Sequence, residues 1–301
     1  DWHGRLVHAQ GMGASEKSIV QVGEALALEY RRVEVYGPVP DPDTFRGVRY
    51  WPREQLRHVA DGKVVVSRSP GYWARLDEMM QRPLTKILWL QDAWYPDLSK
   101  AVSERYQKVV VVSEWHKATM HELHAVPLEK MEVIYNPVDP RLYTEIGKLE
   151  RKRDRFVYCS SPDRGLIPLL KLWPRILERL PEAELHVAYG FRGCARLGIG
   201  NDAAWTRRYE SCRREFERLR WQKGVIVRDM INPAALAELF LSSGVWAYFP
   251  WGFDETCCTS ALEARAAGCV PVCTPRAALA ETAKCKQGFL IPERDTQDFD
   301  D

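Results

Sequence analysis

Short apolar runs alternate with helical patterns along the first half of the chain. The continuous Val and Ile content of these runs is typical of parallel strands that are covered on both faces. The predicted strands are RVEVYG (32–37), KVVVS (63–67), KILWL (86–90), KVVVVS (108–113) and KMEVIY (130–135). The segments between them that have helical periodicity are 15–30, 98–106 and 114–123. This alternation predicts a doubly wound α/β sheet.

The alternation is interrupted at 137–155, where NPVDPRLY is followed by the charged run GKLERKRDR. It then resumes, with predicted strands at 155–161, 184–190, 224–229 and 245–249 and predicted helices at 168–180, 205–223 and 233–242. We therefore predict two Rossmann-like domains, at 1–145 and 146–301, with 137–155 as the linker. The segment RLVHA is expected to be a short first strand. Little sequence follows GFLIPE, which indicates a trimmed or compact variant.

Composition excludes several classes of protein. The 301 residues are 46% hydrophobic and 28% charged, as in ordinary folded domains, and a net charge of +2 gives no reason to expect nucleic acid as an obligatory partner. The sequence has no run of about 18 apolar residues, and its start lacks the pattern of a signal peptide, so a cytoplasmic location is expected. The eight cysteines show no Cys-x2-Cys spacing and are expected to be reduced, packed thiols without a metal site.

The most informative segment is WAYFPWGFDETCCTSALEARAAGCVP, at 246–271. Its apolar start predicts a buried strand, and a proline and a glycine then break the pattern. Ser260 and Glu263 have the spacing of a capping box before an Ala-rich helix. Because a helix start attracts phosphate, a diphosphate could bind here, leaving Glu263 for a ribose diol and Glu255 for sugar hydroxyls. The alternative is that Ser260 and Glu263 only cap the helix and that Glu255 is a solvated loop acid.

Two other segments have residues suited to phosphate. YCSSPDRGL follows a predicted strand and offers Ser160, Ser161 and Arg164 at a strand-to-helix turn. An arginine there could hold a diphosphate and stabilise the charge that grows on it, although a plain turn with an exposed arginine is the alternative. The segment GMGASEKS opens a predicted helix, with Ser15 or Ser18 as its cap.

Asp92 follows the predicted strand KILWL, at the carboxyl edge of the predicted sheet. That place favours a role in a site, and a cap of the following turn is the alternative. Trp115 and His116 lie at another predicted helix start on the same edge, where His116 is expected to be a packed surface histidine. The basic run 205–223 has acids at helical spacings, which indicates an ion-paired helix rather than a nucleic-acid site.

The Glu-x7-Glu spacing of Glu255 and Glu263, together with ALEARAAGCVPV, resembles the donor-site signature of retaining GT-B-type glycosyltransferases of glycosyltransferase family 4. The resemblance covers nearly the whole chain and implies two Rossmann-like domains that face each other across a cleft. It also implies that no metal and no cofactor is needed, with a nucleoside diphosphate sugar as the donor substrate. The implied donor-binding residues are Gly13, Ser160, Ser161, Arg164, Met230, Ile231, Asp254, Glu255, Thr256, Thr259, Ser260 and Glu263.

The resemblance also implies individual roles. Glu263 would bind the ribose, Glu255 the donor sugar, and Arg164 the leaving diphosphate, together with the turn serines and the main chain around Thr259. Main-chain groups near Met230 and Ile231 would hold the base, and Gly13 would let the donor phosphates approach the backbone. The implied catalytic residues are Glu255, Asp92 and Arg164.

This chain departs from the family pattern at three places. Gln91 stands where the family has a histidine before the aspartate, serines stand where it has a first arginine, and Ala14 replaces a second glycine. We predict a retaining glycosyltransferase that moves a sugar from a nucleoside diphosphate sugar to a hydroxyl acceptor. The alternatives are a sugar-nucleotide epimerase or phosphorylase on the same fold, or a non-catalytic sugar-nucleotide binder. A glycan, lipid-linked or anionic acceptor, peripheral membrane contact and the oligomeric state stay open, and no nucleic-acid partner is expected.

Overall fold

The computed structural model describes residues 2–56, 62–79, 85–191, 203–250, 252–286 and 288–291. Residues 292–301, on which the expectation of a trimmed chain end depends, lie outside these ranges. The chain divides into two compact units. The first comprises Asp1–Gly4, Ser18–Pro137 and Asp254–Cys257, and the second comprises Arg5–Lys17, Val138–Phe253 and Cys258–Asp301. A single boundary between 145 and 146 stays a prediction.

The first unit contains two sheets. The smaller has the strand order β1-β3-β2, formed by β1 (Val33–Gly37), β2 (Asp43–Phe45) and β3 (Val48–Pro52). The larger has four parallel strands in sequence order: β4 (Lys63–Ser67), β5 (Thr85–Trp89), β6 (Lys108–Val111) and β7 (Met131–Val133). The five strands predicted for this half are confirmed.

The hairpin of β2 and β3 was not predicted. Its strands pair in antiparallel register around a two-residue turn, in which Arg46 and Gly47 both have positive φ. Two successive positive φ values give a turn whose twist suits a hairpin, although Asn-Gly or Asp-Gly is the usual sequence signal. The strands also alternate polar and apolar residues, with Val48 and Tyr50 fully buried, so they lack the Val/Ile run that marks the other strands.

Helices of the N-terminal half differ from the predictions in three places. The helices are α1 (Gly4–Gln10), α2 (Ala14–Glu29), α3 (Trp73–Met79), α4 (Lys100–Ser103) and α5 (Glu114–His124). One difference is α3, where no helix was predicted. The segment RLVHA lies in α1, so the expected short first strand is wrong. The helix predicted at 98–106 is reduced to α4, whose N-cap Ser99 accepts a hydrogen bond from the Val102 amide.

The second unit contains one six-stranded parallel sheet with the order β10-β9-β8-β11-β12-β13. The strands are β8 (Lys152–Cys159), β9 (Glu184–Ala188), β10 (Val225–Asp229), β11 (Ser243–Tyr248), β12 (Val270–Cys273) and β13 (Phe289–Leu290). The helices are α6 (Leu166–Arg179), α7 (Ala203–Leu219), α8 (Pro233–Leu241), α9 (Thr259–Ala266) and α10 (Leu279–Thr282). The predicted fold class, α/β with Rossmann-like parallel sheets, is confirmed.

The charged end of the expected linker belongs to this sheet. β8 begins at Lys152, and its charged first residues pair with the neighbouring strand: Lys152 Nζ and Arg155 Nε each lie 2.8 Å from the Glu184 carboxylate. Cross-strand ion pairs at a solvent-facing strand start explain why a charged run belongs to a strand. The downstream half of β8 is apolar and lies in the core, where Val157 and Tyr158 are fully buried.

Helix α7 carries most of the basic run 205–223. The pairs Arg213–Glu210, Arg218–Glu215 and Arg220–Glu217 lie within 3.8, 2.9 and 3.4 Å, each three positions apart. The interpretation of this run as an ion-paired helix is therefore confirmed. In the part of the chain that the structure describes, no helix is both long enough and apolar enough to span a membrane.

His116, on α5, is fully buried in the first unit. Its Nδ1 accepts a hydrogen bond from the Val112 amide at 3.2 Å, and its Nε2 lies 3.0 Å from the carbonyl oxygen of Asp92. These two partners fix the neutral tautomer with the proton on Nε2, and the ring is an internal connector rather than the packed surface histidine that was expected. Burial lowers the pKa of His116 to about 4, although the Asp92 carbonyl acts in the opposite direction.

We expect His116 to make the protein acid-sensitive. The unfolded chain binds a proton at this histidine as the pH falls through about 6.5, but the folded chain does so only near pH 4, so stability is lost over that window. The loss attributable to this residue is about 2 kcal/mol between pH 7 and 4.5. Urea unfolding of wild type and His116→Gln across these pH values measures it. His121→Gln, at an exposed position of the same helix, is the control, and an unchanged pH slope in His116→Gln would contradict the prediction.

We also expect two glycines with similar backbone angles to differ sharply in tolerance. Gly165 has a φ of +110°, and a Cβ there would lie 1.9 Å from the carbonyl oxygen of Phe249. Gly62 has a φ of +100°, and among the described residues no atom lies within 4 Å of a Cβ placed there. Gly62→Ala should cost about 1–3 kcal/mol of unfolding free energy through its backbone angle alone, and Gly165→Ala clearly more. Equal losses in urea unfolding would show that the approach to Phe249 does not matter.

Candidate functional site

The order of strands in the second unit indicates where a ligand binds. The order β10-β9-β8-β11-β12-β13 is 3-2-1-4-5-6 in chain sequence, so the direction of winding reverses between β8 and β11. In open parallel sheets, ligands bind outside the carboxyl ends of the strands at such a switch point. Here those ends are Cys159 and Tyr248. The loops that follow them contain the two segments singled out from the sequence.

The turn after β8 is held by hydrogen bonds within the second unit. Ser160 Oγ donates to the Tyr248 hydroxyl at 3.3 Å, which joins the ends of β8 and β11. Ser161 Oγ bonds to the Asp163 carboxylate, and its carbonyl oxygen accepts a hydrogen bond from the Tyr158 hydroxyl at 2.7 Å. Both serine side chains therefore have protein partners in the turn that was predicted to bind phosphate.

Arg164 ends the 3-10 turn Pro162–Arg164. Its guanidinium carbon lies 3.6 Å from the centroid of the Phe253 ring, a cation–π stack. The next residue, Gly165, approaches the backbone of Phe249 so closely that only glycine fits. Phe253, which the sequence analysis did not identify, thus orients the arginine proposed to bind phosphate.

The capping box predicted at Ser260 and Glu263 is wrong. Helix α9 begins at Thr259, with Cys258 as an N-cap that makes no side-chain hydrogen bond. A capping-box serine must precede the helix in extended backbone, whereas Ser260 is already helical, and its hydroxyl lies 3.4 Å from Cys258 Sγ. Glu263 is only 3% exposed. Its side chain is used inside the second unit rather than at the helix start.

Glu263 is part of a buried polar cluster. One carboxylate oxygen lies 2.8 Å from Lys17 Nζ, and the other accepts a hydrogen bond from the Tyr143 hydroxyl at 3.3 Å. Burial, and then the charge of Glu263, raise the pKa of Tyr143. Burial raises the pKa of the Cys159 thiol to about 12, with Glu263 adding to this and Lys17 opposing it. Lys17, Tyr143 and Glu263 thus form a buried cluster, and Cys159, the last residue of β8, is close enough for the charges of Glu263 and Lys17 to affect its thiol.

The glycine turn before α2 belongs to the second unit as well. Gly11 has a φ of +72°, and a Cβ there would lie 2.3 Å from the carbonyl oxygen of Ile231. The turn thus packs on the main chain after β10, so the structure places the predicted Gly13 and Met230–Ile231 regions next to each other. At Gly13, a Cβ would meet the Glu16 carboxylate at 2.5 Å. Helix α2 begins at Ala14, so Ser15 and Ser18 both lie inside the helix. The prediction that one of them caps it is wrong.

Asp92 lies in the first unit, three residues beyond β5. Arg68 grips its carboxylate through two hydrogen bonds of 2.8 and 3.0 Å. Arg68 directly follows β4 and has a φ of +61°, a left-handed conformation that is uncommon for a residue with a side chain. The Tyr95 hydroxyl accepts hydrogen bonds from the amides of Gln91 and Asp92 at 2.7 and 2.8 Å, and burial raises the pKa of that tyrosine.

Gln91 is buried and forms a reciprocal amide pair with Asn136, at 3.0 and 3.1 Å. Its side chain therefore takes a structural role at the position where the family has a histidine. The Gln91 carbonyl oxygen accepts a hydrogen bond from Thr256 Oγ1 at 2.6 Å. This bond attaches the segment Asp254–Cys257, which carries Glu255, to the Asp92 loop within the first unit.

The structure thus sorts the predicted site residues into two groups. The first unit holds Asp92, Asp254, Glu255 and Thr256. The second unit holds Gly13, Ser160, Ser161, Arg164, Met230, Ile231, Thr259, Ser260 and Glu263. The sequence analysis missed Lys17, Arg68, Tyr143 and Phe253, and no local signal identifies the first of these, since Lys17 and Glu263 are 246 positions apart.

Within the described ranges, no three His, Cys, Asp or Glu side chains are grouped closely enough to hold a metal ion. Seven of the eight cysteines lie in those ranges and form no disulfide, and Cys194 lies outside them. Of these thiols, Cys257, Cys258, Cys269 and Cys273 are buried, in agreement with a packing role.

Residues 15–142 match the family model described as Glycosyltransferase Family 4. This match lies outside the segment of Glu255 and Glu263, so it is independent of the spacing that carried the resemblance. No curated protein sequence matches the chain.

Several solved structures have a similar fold. Sucrose-phosphate synthase from Thermosynechococcus elongatus has a TM-score of 0.69 and 16% identity, over 96% of this chain and 83% of that one. A trehalose-6-phosphate synthase studied for glycosyl transfer with retention has a TM-score of 0.62 and 12% identity, over 93% and 86%. The pneumococcal O-GlcNAc transferase GtfA, in complex with UDP and GlcNAc, has a TM-score of 0.52 and 12% identity, over 78% and 48%.

At these low sequence identities, the structural neighbours establish only the fold. The match to the family model is separate evidence, because it comes from the sequence. Residues 15–142 are similar to glycosyltransferase family 4, and the chain has the fold of the GT-B glycosyltransferases.

Proposed function

We propose that the protein is a retaining glycosyltransferase that transfers a sugar from a nucleoside diphosphate sugar to a hydroxyl acceptor. The observation that carries the proposal is the buried cluster around Glu263, near Cys159 at the carboxyl end of β8, beside the switch point of the second sheet. Charged groups are seldom buried unless they are paired, and this pair lies where open parallel sheets bind nucleotides.

Glu263 suits the ribose of the donor. A carboxylate can accept about four hydrogen bonds, and Lys17 and Tyr143 use two of these positions. The remaining lone pairs can accept from a vicinal diol. Because the side chain is already held at both oxygens, little rotational freedom is lost when a ligand binds.

Arg164 suits the diphosphate. When the bond from the anomeric carbon to the phosphate oxygen breaks, its electron pair stays on the diphosphate, whose negative charge grows. A guanidinium held in place by Phe253 stabilises that charge more in the transition state than in the bound donor. At the start of α9, an eight-residue helix, backbone N–H groups carry partial positive charge. Like the guanidinium, they would attract the diphosphate.

Glu255 and Asp92 are proposed to act on the sugar. The hydrogen bond from the Thr256 hydroxyl to the Gln91 carbonyl joins the segment that carries Glu255 to the loop that carries Asp92. The loop is fixed further by the two hydrogen bonds from Arg68 to the Asp92 carboxylate. Two backbone N–H groups of the loop also donate hydrogen bonds to the Tyr95 hydroxyl. Such pre-organisation favours positioning of a sugar relative to an acceptor hydroxyl.

A second candidate function is a non-catalytic sugar-nucleotide binder. It is favoured by the Asp92 carboxylate, which Arg68 already grips at both oxygens, and by Gln91, whose amide is used in the pair with Asn136. Incubation with a panel of sugar nucleotides separates the candidates. A transferase or hydrolase releases nucleoside diphosphate, whereas a binder raises only the thermal stability of the protein through mass action.

The structural neighbours support the donor class and the stereochemical outcome. The pneumococcal transferase binds UDP and GlcNAc, and the trehalose-6-phosphate synthase transfers with retention. By analogy we propose a nucleoside diphosphate sugar as donor and retention at the anomeric carbon, without a metal requirement. A cytoplasmic location and peripheral membrane contact stay predictions.

Glu255→Gln should separate binding from chemistry. The variant should keep its stability and its affinity for bare nucleoside diphosphate, because that ligand lacks the sugar, while transfer falls about a hundredfold or more. Calorimetric titration and an initial-rate assay with the best donor of the panel measure the two effects. Glu178→Gln, at an exposed position of α6, is the control. Normal transfer by Glu255→Gln would overturn this assignment, and loss of nucleotide affinity would indicate a structural role.

Arg164→Ala should lower turnover by about a hundredfold, and more strongly than it lowers donor affinity, because the diphosphate charge is larger in the transition state. Arg164→Lys should recover only part of the rate, since a lysine keeps the charge but loses the planar stack on Phe253. Arg105→Ala is the matched control, because Arg105 stacks on Trp73 in the first unit at 4.5 Å. A loss confined to KM would contradict the proposed role.

A further inference from the structure

Lys17 is a buried cation to which the proposed function gives no role beyond holding Glu263. It lies in the first turn of α2, directly after the glycine turn, and its side chain is only 10% exposed. Its ammonium group lies 2.8 Å from Glu263 Oε2. Both residues belong to the second unit, together with Tyr143 and the nearby Cys159.

The ammonium group has more donors than the protein uses. A lysine offers three N–H donors, and among the described residues Glu263 is the one hydrogen-bond acceptor of Lys17. A buried donor without a partner carries a desolvation cost, so such donors usually serve a ligand or ordered water. Thr259 Oγ1 is likewise buried without a partner in the described ranges. Thr259 lies four positions before Glu263 on α9, and hence on the same face of that helix.

The chemistry of this group matches a sugar hydroxyl. A carboxylate only accepts hydrogen bonds and an ammonium only donates them, whereas a hydroxyl does both. Neighbouring Glu263 and Lys17 groups can therefore satisfy the proton and a lone pair of the same hydroxyl. A vicinal diol offers two hydroxyls with this requirement, and the Thr259 hydroxyl adds a group that can donate or accept.

We propose that Lys17 is a ligand-binding residue that recognises the ribose diol of the donor nucleotide jointly with Glu263. The inference rests on the proposed function, because it takes Glu263 as the residue that binds the ribose. The Lys17 ammonium adds a hydrogen-bond donor beside the Glu263 carboxylate, which accepts. Together they would favour binding of a ribonucleotide over a nucleotide that lacks the ribose hydroxyls. A purely structural ion pair explains the side chain less well, since a buried ion pair often contributes no more stability than apolar residues of similar volume.

The experiment compares two ligands that differ only at the ribose. Uridine diphosphate and 2′,3′-dideoxyuridine diphosphate are titrated calorimetrically against wild type, Lys17→Met, Glu263→Gln and the control Lys148→Met. Lys148 pairs with Glu145 at the surface, so its removal should not alter either affinity. We expect Lys17→Met to weaken uridine diphosphate binding about tenfold or more, the usual effect of losing a charged hydrogen bond, and to leave the dideoxy ligand nearly unchanged.

The other outcomes are equally decisive. An equal loss for both ligands in Lys17→Met would mean that Lys17 binds phosphate or only supports the fold, and would overturn the inference. If Glu263→Gln has no effect on either ligand, the ribose role of Glu263 in the proposed function is wrong, whatever Lys17 does. If wild type binds neither uridine diphosphate nor the adenosine and guanosine diphosphates tried next, the proposed function itself fails.

A second variant keeps the test valid if Lys17→Met does not fold. The double variant Lys17→Met with Glu263→Gln leaves neither charge buried without its partner, so it should fold where the single change does not. It should bind uridine diphosphate and the dideoxy ligand with nearly equal affinity. A double variant that still prefers uridine diphosphate by the wild-type factor would refute the joint recognition of the diol.

Discussion

The reversal of strand order between β8 and β11 is the constraint on which the rest of the second unit depends. It brings the loops after these strands to one edge of the sheet, although their sequences are nearly 90 positions apart. The loops meet closely enough that Gly165 cannot carry a side chain next to Phe249. Arg164, the next residue back along the chain, can then stack on Phe253. Sheet topology, a glycine and an aromatic ring together orient one guanidinium.

The charged groups of the second unit are arranged so that each supports a neighbour. Lys17 compensates the charge of Glu263, Tyr143 holds its second oxygen, and Cys159 is kept as a neutral thiol. In the first unit, Arg68, Tyr95 and His116 hold the Asp92 loop by side chain and backbone in the same way. Both arrangements limit the freedom of an acid before any ligand arrives, and such pre-organisation is what catalysis by positioning requires.

Local patterns predicted the sheets better than the ends of helices. The Val/Ile runs identified the buried parallel strands because burial on both faces requires such runs. The β2–β3 hairpin was missed because buried and exposed residues alternate along β3, so it lacks a continuous apolar run. Its turn also lacks the usual Asn-Gly or Asp-Gly pair. The capping box at Ser260 failed because the backbone of Ser260 is already helical, and RLVHA proved to be a helix because a five-residue apolar pattern fits either structure.

The sequence by itself determined the α/β class, the two Rossmann-like halves and the residue types of the candidate site, since these depend on periodicity and on short motifs such as Glu-x7-Glu. Only the tertiary structure decided what those residues touch. Lys17 meets Glu263 across 246 positions, and Thr256 joins Glu255 to the Asp92 loop, because parallel sheets bring distant segments to a common edge. No local pattern encodes such pairs: they arise from packing, which depends on the whole chain at once.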